Sequence, residues 1–350
     1  MLFDLQNPKT PKPLFKDRIE RISKYLIKME KITCEEKVAH LDKYNEKYAD
    51  KGYSTRAIHY GQAPDAFYGS VNVPIHMSST FAQTDCGEPF YTFDYSRGGN
   101  PTREALEKVI SSLENGKYGM VAGSGLGVTM LIVHLLKSGD HILSVDDVYG
   151  GTGRYFRNIV SPVYGIESDF IDMSDLELVR SSIKENTKLV WLETPTNPLL
   201  KCFDIRAISD ICKEKGAILV VDNTFMSSFN QKPLDLGADL VMQSVTKYIG
   251  GHSDVVMGSL ATNNEELYKR VYFNLFAIGP NTSPMDCYLV LRSIKTLKIR
   301  MEAINKNGLA IAEHLEGHEK VEKVNYPMLK SHDYYDVHSK QATGGAGIIS

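Results

Sequence analysis

From Tyr118 to Ala261 short apolar runs alternate with stretches of helical period, and most of those runs end in residues that can do chemistry. The runs Tyr118–Ala122, His141–Val145, Leu189–Leu192, Ala217–Val221, Leu240–Met242 and Gly258–Ala261 read as strands. Helices are expected over Val128–Leu136, at about 174–184 and at about 204–215, with an earlier one over Arg103–Leu113 capped by Thr102. Strands separated by helices build a mostly parallel sheet with helices on both faces, so the fold class is α/β. Open sheets of this kind bind ligands outside the carboxyl ends of their strands. The residues just past each strand are therefore the place to look for function.

Four strand ends carry polar groups. After Val145 comes Asp146-Asp-Val-Tyr-Gly-Gly151, and after Leu192 comes Glu193-Thr-Pro-Thr-Asn-Pro198. After Val221 comes Asp222-Asn-Thr224, and after Met242 comes a segment holding Ser244, Thr246 and Lys247. Read as extended chain, Ser244 and Thr246 point the same way. After Ala122, Gly123-Ser-Gly-Leu-Gly127 opens a helix, whose first N–H groups favour an anion. Val128 stands where a dinucleotide fingerprint needs its third glycine, so a nicotinamide enzyme is poorly supported. Each feature has an ordinary explanation on its own: a surface lysine, a turn-forming Asp222, a rim Tyr149 before Gly-Gly. Together they match the parts of one cofactor.

Pyridoxal phosphate would use each of these parts. Its aldehyde needs a lysine for a Schiff base, and Lys247 is available. Its pyridine nitrogen needs a carboxylate so that the ring can withdraw electrons, and Asp222 follows an apolar strand. Tyr149 can stack on the ring. The N–H groups near Gly125 and Leu126, with the Ser244 and Thr246 hydroxyls, can hold the phosphate. Tyr95 and Arg97, on an irregular segment, form a further candidate phosphate pair.

Other function classes find less support. A net charge of −3 gives no reason to expect nucleic-acid or membrane binding. The five cysteines show no metal-type spacing, so no metal site is expected, and their scatter fits a reducing compartment. No apolar leader or membrane span is read, and the expected location is cytoplasmic.

The segments Tyr95-Ser-Arg-Gly-Gly-Asn-Pro-Thr102, Ser124-Gly-Leu126, Asp146-Asp-Val-Tyr-Gly-Gly-Thr152, Glu193-Thr-Pro-Thr-Asn-Pro198, Val221-Asp-Asn-Thr-Phe225, Ser244-Val-Thr-Lys-Tyr248 and Gly251-His-Ser-Asp254 stand in unbroken order. Together they resemble the Cys/Met-metabolism group of fold type I pyridoxal-phosphate enzymes. Within that group the resemblance is greatest to the eukaryotic cystathionine γ-lyases. It implies α,γ-elimination of cystathionine to cysteine, 2-oxobutanoate and ammonia, as in transsulfuration and cysteine biosynthesis, with hydrogen sulfide as a side product. It implies that Lys247 carries the cofactor and moves protons, that Asp222 pairs with the ring nitrogen, and that Tyr149 stacks and acts as a base. Thr224, Glu193 and Asn197 are implied around the cofactor, and Arg154 on the substrate side. Tyr95 and Arg97 are implied to reach the phosphate of a neighbouring subunit, in a homotetramer built from dimers.

The resemblance divides the chain into a polar, partly helical extension (1–50), an arm toward the neighbouring subunit (51–100), a cofactor-binding domain (101–300) and the start of a small C-terminal domain (301–350). In the extension, Ile19, Ile22, Leu26 and Met29 form one helical stripe, and Val38, Leu41 and Tyr48 a weaker one. A long helix is expected from Pro284 to about His314, with Asn307-Gly308 as a weak point. Gly344 to Ser350 is expected to be the first strand of an incomplete C-terminal domain, lacking the arginine that grips the substrate carboxylate. Three readings compete: the lyase, another branch such as methionine γ-lyase or cystathionine γ-synthase, and a non-catalytic paralogue that keeps cofactor or subunit binding.

Overall fold

The structure is a computed structural model that describes residues 34–350 apart from Phe67, Phe90 and Tyr91. The stripe Ile19–Met29 lies outside the described residues. Helix α1 (Cys34–Ala49) carries the weaker stripe, and its half-buried Tyr48 stacks on His59 of α2 (Tyr53–His59) with ring centroids 4.5 Å apart. Strands β1 (Gln83–Asp85) and β2 (Glu88–Pro89) form a short exposed hairpin.

Helix α3 (Pro101–Leu113) begins two residues earlier than expected. Its cap is Asn100, whose side chain accepts from the N–H groups of Thr102 and Arg103, while Thr102 is buried inside the first turn. Pro101 explains the shift: its fixed φ suits the first helical position, which leaves Asn100 as the cap.

The sheet comprises β3 (Tyr118–Ala122), β4 (His141–Val145), β5 (Glu167–Ile171), β6 (Thr187–Glu193), β7 (Ile218–Asp222), β8 (Leu240–Ser244) and β9 (Gly258–Thr262), in the order β3-β9-β8-β7-β6-β4-β5. All pairings are parallel except those of β9, which runs opposite to β3 and β8. Between the strands lie α4 (Gly125–Val133), α5 (Gly150–Tyr155), a π-helical turn (Phe156–Val160), α6 (Ser161–Tyr164), α7 (Leu176–Ser182), α8 (Ile205–Lys215) and α9 (Ser227–Asn230). Every residue of β4 is buried, as a strand covered on both faces requires. β3 shows the two faces directly: Met120 and Ala122 join the larger core with Trp191 and Leu143, and Val121 joins a second core with Leu106 and Leu291. The expected α/β architecture is present, with the added edge strand β5.

The C-terminal part departs from expectation in two ways. Helix α10 (Glu265–Ile278) is followed by α11 (Pro284–Ile294) and α12 (Leu297–Glu316), so the long helix is broken at Lys295-Thr296. The freed Ser293 carbonyl accepts from Thr296 N, Thr296 Oγ1 and Arg300 Nη2. Asn307-Gly308 is no weak point. A Cβ at Gly308 would lie 2.4 Å from the Ala346 carbonyl and 2.8 Å from the Tyr326 hydroxyl, so the absence of a side chain there is a packing requirement. After α13 (Tyr335–Gln341), residues 344–350 form no strand. They run irregularly, tied by a two-way backbone pair between Asn325 and Ser350 and by Tyr326 Oη donating to Ala346 O at 2.9 Å. The expected boundary at residue 300 falls inside α12. Among the described residues no helix is long and apolar enough to cross a membrane, and no cluster has the makings of a metal site.

Candidate active site

Because β4, β6, β7 and β8 are parallel, their carboxyl ends open on one edge, and β9 begins there. At that edge lies a cavity of about 510 Å³, of the size that holds small-molecule ligands. Its floor is acidic. Glu193 closes β6 and Asp222 closes β7, directly opposite each other in register. Asp222 Oδ1 accepts from Thr224 N at 2.9 Å, a tight turn that fixes the carboxyl at the strand end. Glu193 Oε2 accepts from Tyr149 N at 2.9 Å, which ties the loop after β4 to the end of β6. Among the described residues neither carboxyl forms an ion pair. Burial pushes Asp222 up to about 6. Burial, and then the neighbouring Asp222 charge, hold Glu193 well above the ordinary carboxylate range. A cavity floor with two uncompensated carboxyls is suited to a cationic ring nitrogen.

The opposite end is lined by backbone. Ser124 caps α4, its Oγ accepting from Gly127 N at 2.9 Å, and the N–H groups of Gly125 and Leu126 are left without helical acceptors. Close approach there depends on glycine. A Cβ at Gly258 would sit 2.3 Å from the Ser124 carbonyl, and one at Gly125 would sit 3.2 Å from Ser244 Cβ. Ser244 N donates to Thr224 Oγ1 at 2.8 Å, so the ends of β7 and β8 are held together.

Lys247 sits in the turn after β8, where its N–H reaches back to Ser244 O at 3.1 Å. Its exposed side chain faces the cavity and, among the described residues, forms no ion pair. The extended-chain reading of Ser244 and Thr246 is corrected. The strand ends at Ser244, and Thr246 lies in the turn, donating to Met257 O at 3.2 Å and accepting from Met257 N at 3.1 Å. Both still line the cavity. Tyr149 also lines it, half exposed, above the start of α5. A Cβ at Gly151 would lie 2.4 Å from the Tyr149 ring, so that glycine makes room for the ring.

Gly125, Leu126, Tyr149, Glu193, Asn197, Asp222, Thr224, Ser244, Thr246 and Lys247 all line the cavity. Arg154, Tyr95 and Arg97 do not. Arg154 is exposed in the last turn of α5, beyond the residues of that helix that reach the cavity. Arg97 lies between the rings of Tyr95 and Phe276, at 5.0 and 5.1 Å, with its Nε donating to Phe276 O. Sequence reading missed Thr152, Pro195, Phe225, Val256 and Ile348, which form much of the apolar wall. Thr152 and Phe225 stand inside recognisable motifs and were within reach; Ile348 comes from the far end of the chain, and no local signal announces it.

The donor set therefore fits pyridoxal phosphate: a free lysine, an unpaired acidic floor, a flat aromatic and an N–H-lined end in one cavity. A seven-stranded α/β sheet with this site defines a fold type I pyridoxal-phosphate enzyme. The family described as Cys/Met metabolism PLP-dependent enzyme matches residues 54–350, and the chain belongs to it. Its cofactor is pyridoxal 5'-phosphate. A cystathionine γ-lyase from Dictyostelium discoideum is 52% identical over 295 residues, covering 84% of this chain and 76% of the relative. A probable cystathionine γ-synthase from Herpetosiphon aurantiacus is 50% identical over 301 residues, covering 86% and 94%. The crystal structure of metB from Corynebacterium glutamicum superposes with a TM-score of 0.84 at 45% identity, covering 86% of this chain and 78% of that one.

Proposed function

We propose that this enzyme cleaves the Cγ–sulfur bond of cystathionine and, with one water, gives cysteine, 2-oxobutanoate and ammonia, with hydrogen sulfide release from cysteine or homocysteine as a side activity. The observation that carries this reading is Lys247 facing the same cavity as the Asp222–Glu193 pair. Bound pyridoxal phosphate supplies an electron sink for negative charge at the substrate carbon next to the amino group. Lys247 Nζ would hold the cofactor's aldehyde carbon. Once displaced by the substrate amine, it would serve as the base that takes the α-proton. Asp222 would hold the ring nitrogen in its protonated state, with Thr224 N fixing the carboxylate. Tyr149 would cover the ring face, and Gly125, Leu126, Ser244 and Thr246 the phosphate. Thr246 would redirect its proton from Met257 O to do so. Glu193, which burial and the Asp222 charge push toward its neutral form, would orient the loop of Tyr149 through its backbone bond.

Asn197 would contact the substrate from the loop after β6. Tyr95 and Arg97, away from this chain's own cavity, would serve the site of a second copy, which makes the working unit an oligomer. The γ-synthase reading stands second, favoured by the 50% identity to the Herpetosiphon protein over most of that protein's length.

Borohydride reduction followed by peptide mapping tests the core of the reading, with label expected on Lys247 and none in Lys247→Ala. A reducible adduct of equal yield in Lys247→Ala overturns it. Product analysis then separates the branches: 2-oxobutanoate from cystathionine alone marks the lyase, and cystathionine formed from cysteine and an activated homoserine ester marks the synthase.

A further inference from the structure

Lys247 is held by a turn whose carbonyls converge on a corner between two helices. The carbonyls of Tyr248, Ile249 and Gly250 come directly after the lysine in sequence, and all three point at the break between α11 and α12. Arg300, in the first turn of α12, donates from Nη1 to Tyr248 O and from Nη2 to Ile249 O at 3.2 Å. The same Nη2 reaches Ser293 O and Ser293 Oγ, both at 3.2 Å, and Nε reaches Thr296 Oγ1 at 3.2 Å. Ser293 Oγ in turn donates to Gly250 O, which His252 Nδ1 also approaches at 2.7 Å. Three successive carbonyls aimed at one corner repel each other; the fixed fork of the Arg300 guanidinium takes those of Tyr248 and Ile249, and Ser293 Oγ takes that of Gly250.

Three further observations fit this arrangement. Among the described residues Arg300 has no carboxylate partner, so its charge is spent on carbonyls. Gly251 has φ +68°, and a Cβ there would lie 2.2 Å from Arg300 Nη1, so the turn is shaped around the guanidinium. The helix break at Lys295-Thr296 frees the Ser293 carbonyl and turns α12 so that its first turn faces the lysine segment.

We infer that Arg300, assisted by Ser293, is a positioning residue for Lys247: it fixes the backbone of the turn from which the lysine reaches the cofactor. The inference rests on the proposed attachment at Lys247. Arg300 touches no cavity atom and takes no proton; it sets where the lysine amine stands. It also makes the corner of α11 and α12 part of the cofactor machinery, although neither helix lines the cavity.

The test uses the holoenzyme and the variants Arg300→Met, Arg300→Lys and Ser293→Ala. Borohydride labelling of the parent at Lys247 comes first, because a parent that labels elsewhere refutes the attachment and not the positioning. Given that label, Arg300→Met is expected to release cofactor at least about tenfold faster, the loss of charged hydrogen bonds. It is also expected to change the visible ellipticity of the bound cofactor per unit absorbance, which reports its orientation. Arg300→Lys, a point charge that cannot span three carbonyls, should fall between Met and the parent, and Ser293→Ala should shift the same two readouts by less. A lowered thermal transition with unchanged ellipticity and release in Arg300→Met would show a merely structural role and overturn the inference. Should Arg300→Met fail to fold, Arg300→Lys decides: parent values in both readouts overturn it.

Discussion

Replacing Asp222 by Asn should stabilise the cofactor-free protein while weakening the cofactor's hold. Asn has the shape of Asp and keeps an oxygen for Thr224 N, so the substitution removes charge and little else. Burial raises the Asp222 carboxyl from 3.8 to about 6. The sign comes from linkage. With its folded pKa raised, the carboxyl favours the folded state when protonated. That contribution is full below the unfolded value and is lost as pH rises through about 6. A rise of roughly two units corresponds to about 3 kcal/mol of stability forfeited by pH 8, at about 1.4 kcal/mol per unit. Asn forfeits nothing in that range. Spread over an unfolding entropy of about 2.1 cal/mol/K per residue, about 3 kcal/mol moves the midpoint of a chain of this length by roughly 4 °C. With cofactor bound the order reverses. Losing the carboxylate leaves the ring cation unpaired, which costs about 3–5 kcal/mol, or a loss of affinity of roughly 10² to 4 × 10³. Thermal unfolding of apo-protein between pH 5 and 8, paired with cofactor titration, checks both halves. An apo Asp222→Asn protein with the parent's stability at pH 8 and the parent's pH slope would refute the reasoning.

The cofactor affinity of the parent should itself depend on pH, weakening by about tenfold per unit below about 6 as a proton competes for Asp222, and equilibrium titration at several pH values reads it directly. Glu193→Gln should change stability and cofactor affinity by less than about 1 kcal/mol, because burial and the Asp222 charge favour the neutral form of Glu193 and Gln retains an acceptor for Tyr149 N; a larger loss in calorimetry would show that an ionised Glu193 is needed. Gly258→Ala should cost about 1–3 kcal/mol and loosen cofactor binding, since its methyl would press on the Ser124 carbonyl at the end of the cavity lined by α4; unchanged thermal unfolding and titration would count against that packing.

The fold was legible where burial is two-sided. Strands such as His141–Val145 and Leu189–Leu192 are apolar because helices cover both faces, and that pattern survives reading without partners. Strand β5 was missed because it is an edge: Glu167, Ser168 and Asp169 face partly outward and dilute the apolar signal. The antiparallel course of β9 leaves no trace in its residues, since direction is fixed by the chain that leads into it. The break at Lys295-Thr296 carries neither glycine nor proline, so no helix-breaking residue marks it in the sequence. In the candidate site the strand-end residues were readable because each follows an apolar run. Thr246 was named for the wrong geometric reason, because the turn that holds it depends on Met257 from the next strand. Ile348 was beyond reach, since the cavity wall it forms exists only after the chain's last described segment packs on the sheet edge.

The reversed strand β9 has a kinetic consequence. Ser244 and Gly258 face each other across a short connection, and Lys247 lies within it, so the lysine segment is the loop of a local hairpin. β3, which leads into the α4 turn at the cavity's other side, meets β9 only by closing a loop roughly ten times longer, at an added entropic cost of about 2 kcal/mol. Local pairings of this kind form without waiting for distant partners. Lys247 is thereby carried by the least demanding pairing in the sheet, and the α4 turn across the cavity is recruited by one of the most demanding. Amide exchange pulsed during refolding should find the β8–β9 amides protected ahead of those of β3.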